Sequence, residues 1–232
     1  MNPLLTSSLA RIGGIFNLLQ SLAYLVAGAA ALFIPLERIA RDTEGFAAVY
    51  AASPAPFTVL ALALIALGIL GFTGVVPATA ALLGEARNGW VTFGKSVALL
   101  SLAVIVVYYT WFLSTIPSFV ATYRAAPPEI RAAIAVDDPH VPVNWVTWFI
   151  FGGMGLWVVV VGATGRAEGV LPRGFGWACA IKTTGFWIAL AGVVGQNIPL
   201  AQVGVVAGVL VGGPLYHAWL GIEMLRVSRT LA

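Results

Sequence analysis

Six separate runs of apolar residues, each long enough to cross a membrane as a helix, limit what this chain can become. They fall at roughly 12–34, 57–83, 95–116, 145–165, 175–195 and 200–224. An α-helix needs about 20 such residues to cross a hydrocarbon layer about 30 Å thick. The runs are continuous and do not alternate with period two, which argues against a transmembrane β-barrel. The expected fold is all-α, a polytopic membrane helix bundle of six spans, with residues 1–232 forming one transmembrane domain. Composition agrees: 9% of residues are charged, against about 25% in a soluble domain.

Loop charges predict an orientation. Arg11, Arg87, Lys95, Arg166, Arg173, Arg226 and Arg229 fall on the side of the two termini. Arg38, Arg41, Arg124 and Arg131 fall on the other, with most of the acids. Basic residues collect in short cytoplasmic loops, so both termini are expected in the cytoplasm and the chain is expected to form three hairpins. The first run, "IGGIFNLLQSLAYLV" before "AGAAA", is long and interrupted by Asn17 and Gln20; it reads as a spanning helix and not as a cleaved leader. Dispersed single cations, with no Lys/Arg-rich run, exclude a nucleic-acid partner and fit a membrane surface.

The third hairpin turns through "QNIP", but the first two have long external connections, 35–56 and 117–144. "PPEIRAAIAV" at 127–136 predicts a short surface helix, with Pro128 and Glu129 suited to its first turn. "FAAVYAASP" at 46–54 and "FVATYRAAP" at 119–127 place Phe, Ala, Tyr, Ala and Pro in register, either a duplicated hairpin or coincidence in an alanine-rich chain. Asp137, Asp138 and His140 lie together in "DDPHVPVNW"; they read as a turn with an Asx cap more readily than as a cation site.

Polar residues inside the spans need a reason, because burying them in a membrane is costly. Lys182 is the only basic residue inside an apolar run, in "GWACAIKTTGFWIALAGVVG". Counting a rise of about 1.5 Å per residue puts it in the cytoplasmic half of the fifth span, level with His217 on the sixth. Asn17, Gln20, Ser21 and Tyr24 make one polar stripe on the first span by their spacings of three and four. Thr73 and Ser101 reach the same half, and Glu223 stands below His217. A cluster of Lys182, His217 and Glu223 is one reading; Lys182 snorkelling to the headgroups beside Trp177, His217 packed in the core and Glu223 paired with Arg226 is the other.

The aromatic residues divide likewise. Trp111, Trp145 and Trp148 suit an external interfacial belt, and Trp90 and Trp177 an internal one. Trp157, Trp187 and Trp219 lie deeper, where they either fill the core or line a cavity for a hydrophobic ligand. "GVVAGVLVG" puts Gly204, Gly208 and Gly212 on one ridge, suited to close helix contact within the chain, to a homo-oligomer or to a membrane-protein partner. A single cysteine, Cys179, excludes an intrachain disulfide. No H-E-x-x-H or P-loop motif is present, and no metal or other cofactor is expected.

"ARIGGIFNLLQSLAYLVAG" and "GGPLYHAWLGIEMLR" resemble the two ends of a broad family of uncharacterised bacterial six- to seven-helix membrane proteins, catalogued as a domain of unknown function. Members open with an Arg-x-x-Gly helix and close with Gly-Pro, Trp-Leu-Gly and Leu-Arg on the last one. The resemblance implies a bacterial inner-membrane protein and assigns no catalytic residue. The leading functional expectation is a membrane protein that binds or passes a small hydrophobic or amphipathic molecule, with Lys182, His217, Glu223, Asn17, Gln20, Tyr24, Trp187 and Trp219 as ligand-binding candidates. A membrane-embedded enzyme acting on a lipid or isoprenoid, and an accessory subunit of a membrane complex, are the alternatives.

Overall fold

The structure, a computed structural model, describes residues 3–39, 42–85, 88–136 and 145–230. Arg41, Arg87, Asp137, Asp138 and His140, and the side chain of Trp145, lie outside the described residues. Among those described there are helices and no strand. Six helical segments are long and apolar enough to cross a membrane: Ser7–Leu32, Ala55–Leu82, Gly89–Ala125, Trp148–Ala167, Phe175–Val194 and Ile198–Thr230.

The first span belongs to α1 (Pro3–Leu32). Two short helices follow, α2 (Leu36–Ile39) and α3 (Thr43–Ala52). The second span joins α4 (Ala55–Leu70) to α5 (Val76–Leu82) through a π-helical segment, Gly71–Val75. The third is α6 (Gly89–Ala125), with the surface helix α7 (Pro128–Val136) after it, as the proline and glutamate there predict. A short α8 (Trp145–Thr147) enters the fourth span through a π segment, Trp148–Gly153, into α9 (Met154–Ala167). The fifth is α10 (Phe175–Val194). The sixth joins α11 (Ile198–Val205) to α12 (Gly213–Thr230) through a π segment, Val206–Gly212.

Local chemistry sets the boundaries. Asn88 Oδ1 accepts from Trp90 N at 3.0 Å and starts α6; Asn197 Oδ1 accepts from Leu200 N at 3.0 Å and starts α11. Both are N-caps supplying acceptors that helix ends lack. Between the fifth and sixth spans Gln196 takes φ 53°, and Asn197 N donates to Gly192 O at 2.7 Å. That left-handed residue reverses the chain within "QNIP".

Each span packs on the next, and the sixth returns to the first, so the contacts close in a ring. The central core is apolar on the side of the third and fourth spans, built on Leu102, Ile105, Trp157 and Val158. A second core lies at the far end of α6, where Ile116, Val120 and Tyr123 meet Phe46, Tyr50 and Phe57. It explains why α6 outruns the apolar run at 95–116. A helix of 37 residues is about 55 Å long, and its last turns are held by α3 and not by membrane length. The two similar segments therefore differ in setting. One is the separate helix α3, whereas the other is the end of an unbroken helix that carries Pro117 inside it.

Candidate functional site

Lys182 lies about 10 Å along the axis from the start of α10, with no exposed surface. Its Nζ stands 2.7 Å from His217 Nε2 on α12. His217 Nδ1 in turn lies 2.8 Å from Asn17 Oδ1 on α1. Asn17 Nδ2 donates to Gly13 O at 2.9 Å and touches Met224 Sδ at 3.3 Å. The first, fifth and sixth spans thus meet through one chain of polar contacts.

Its direction follows from the one group that cannot switch roles. A backbone carbonyl only accepts, so Gly13 O fixes the Asn17 amide with Nδ2 towards it and Oδ1 towards the histidine. Asn17 Oδ1 then accepts from His217 Nδ1–H, and the neutral imidazole presents a bare Nε2 to the lysine. Lys182 then donates to it.

Aromatic rings enclose the lysine. Tyr24 stacks on His217, with centroids 5.1 Å apart and planes 17° apart, and Tyr216 meets the imidazole edge-on at 4.8 Å. Lys182 Nζ lies 4.4 Å from the Tyr216 centroid, 4.5 Å from Tyr24 and 5.5 Å from Phe186, all within cation–π range. Glycines permit this approach. A Cβ on Gly212 would lie 2.6 Å from Lys182 Cα, and one on Gly213 would run into the Tyr24 ring.

Gln20, three residues after Asn17, turns towards the second span and donates to Leu67 O at 2.7 Å, against Gly71 where the π segment begins. Ser21 donates to Pro214 O at 3.0 Å. The polar layer is therefore confined to one side of the ring. Ser101 bonds its own helix at Val97 O, and Thr73 is exposed and bonds Ile69 O.

Three other candidates lie elsewhere. Glu223 pairs with Arg226 at 2.9 Å. It follows His217 by six residues, about 240° around a helix of 3.6 residues per turn, and so faces away from the lysine. Trp187 is 47% exposed on the outer surface, its indole lying across Gly155 of the fourth span. Trp219 packs edge-on to Phe175, with centroids 6.0 Å apart. The ridge glycines are occupied within the chain: Gly204 lies on Ala189, Gly208 on Gly185 and Phe186, and Gly212 on Lys182. No partner helix reaches those three without displacing α10.

Among the described residues the ion pairs are Glu223–Arg226 and Lys95–Glu85, so no carboxylate there pairs with Lys182. Sequence reasoning missed Tyr216 and Phe186, although helical spacing from Lys182 and adjacency to His217 were available signals. An open cleft of about 680 Å³, lined by Phe33, Arg38, Asp42 and Phe57 among others, lies beside α3 and does not include the lysine. Searches of protein-family models, of curated proteins and of solved structures find no match to this chain.

Proposed function

We propose that this chain is a multi-pass membrane protein that binds or passes a small amphipathic molecule at the junction of its first, fifth and sixth spans, around Lys182. The observation that carries this reading is a fully buried amine, ringed by Tyr24, Tyr216 and Phe186, that meets an imidazole and, among the described residues, no carboxylate. Charging such an amine without a counter-charge would cost several kcal/mol, and ionisable residues in membrane spans mark binding sites and pathways. The π segments at Gly71–Val75 and Val206–Gly212 flank the layer. π-Bulges recur at functional sites, and a loosened sixth span would give a ligand access to an otherwise closed centre.

The finer topology belongs to the same proposal. The seven cations on one side favour three hairpins with both termini cytoplasmic, and the family resemblance implies a bacterial inner membrane. Native extraction into nanodiscs, followed by mass spectrometry of co-purified small molecules, tests the function. An amphipathic species enriched with the wild type and lost from folded Lys182→Met and His217→Ala is the expected result. Identical sets from all three proteins would reject the reading.

A further inference from the structure

We infer that Lys182 and Tyr216 form a site for a single carboxylate group. This deepens the preceding proposal and rests on it, because it names the chemistry of the amphipathic molecule's polar end.

Hydrogen bonding is unbalanced around the lysine. An ammonium carries three N–H donors; one is directed at His217 Nε2, and the ring faces attract charge without accepting a strong hydrogen bond. The Tyr216 hydroxyl is buried with no partner among the described residues, and so is the Thr183 hydroxyl. Both side chains are more than nine-tenths buried. Such groups are nearly always paired.

On the acceptor side, Asn17 Oδ1 is taken by His217 Nδ1–H and His217 Nε2 by the lysine. The layer therefore holds two buried hydroxyls without partners and an amine that meets no carboxylate among the described residues. A carboxylate supplies all that is lacking: it only accepts, offers about four lone-pair sites and carries one negative charge. A cationic head would meet another cation, and a neutral alcohol would leave the charge unmatched. Tyr24, Phe186 and Tyr216 close around the amine, which suits a carboxylate joined to an apolar body.

The test measures thermal shifts in nanodiscs with decanoate, acetate, decanol and decyltrimethylammonium, using wild type, Lys182→Met and Tyr216→Phe. Decanoate is expected to raise the midpoint of the wild type and leave Lys182→Met unmoved. Tyr216→Phe keeps the ring and is expected to need about tenfold more decanoate, the loss of one hydrogen bond to a charged group. Acetate acting as well as decanoate would also support the site and identify the source as free short carboxylates. Decanol or the cation matching decanoate would overturn the carboxylate inference and leave the amphipathic reading standing. Decanoate acting equally on Lys182→Met would overturn the inference as well. No shift of the wild type with any of the four would overturn both.

Discussion

Lys182 Nζ and Asn17 Oδ1 occupy opposite sides of the His217 ring, 2.7 Å from Nε2 and 2.8 Å from Nδ1. The asparagine therefore sets which nitrogen faces the lysine as an acceptor. Asn17→Leu leaves the Nδ1–H buried without an acceptor, which costs about 1–3 kcal/mol. A lower thermal midpoint in detergent is the expected outcome, and an unchanged midpoint would show that Asn17 does not hold the ring.

Lys182→Met should act in the other direction. Methionine keeps most of the length and apolar volume of the lysine stem, and replacing buried charged groups by apolar ones of similar size often stabilises by about 1–4 kcal/mol. His217 Nε2 loses its donor, which offsets part of that gain. The variant is expected to melt at or above the wild-type temperature while losing any co-purifying ligand, the pattern of a residue kept for function at some cost in stability. A steep loss of folded protein would mark the lysine as structural.

Much of this arrangement was legible in the sequence. Six spans could be read because each must present an unbroken apolar surface, and Lys182 and His217 could be paired because helix rise puts them level. Rotation about the helix was harder to read. Depth alone put Glu223 near the lysine, whereas six residues of helical turn carry it away from His217, about 120° by the shorter way around the helix, against Arg226. The length of α6 was hidden for another reason: Val120 and Tyr123 are held by the second core, a contact between distant segments that hydropathy along one stretch does not report. The unpaired hydroxyls of Tyr216 and Thr183 could not be read from the sequence, because they are defined only by their neighbours in space.

The Glu223–Arg226 ion pair provides a contrast to the buried lysine. Arg226 keeps 67% of its side-chain surface exposed and Glu223 15%, and an ion pair that solvent reaches contributes about 0–1 kcal/mol. Glu223→Gln is expected to shift the thermal midpoint little and to leave ligand recovery unchanged. A loss of ligand would return Glu223 to the site.

Orientation can be read with reporter cysteines in a Cys179→Ala background. Glu44 lies on α3, and Glu168 follows α9 on the side assigned to the cytoplasm. Glu44→Cys is expected to react with an impermeant maleimide on intact cells, and Glu168→Cys only after the membrane is opened. The reverse pattern would invert the topology.

The fifth and sixth spans come into close contact at Gly185 and Gly208, where a Cβ on either residue would overlap the backbone of the other helix. Gly208→Val should force the two helices apart, and overpacking of this kind costs about 1–3 kcal/mol or more. Because Lys182 and His217 are carried by these same helices, the separation should disturb the polar layer before the whole bundle unfolds. Gly176, also on α10, has open space where a Cβ would go, so Gly176→Ala should be tolerated and gain slightly from helix propensity. Size-exclusion chromatography and thermal denaturation of the two variants give the comparison. Equal tolerance of both would mean that the close approach of these helices is not required for the fold.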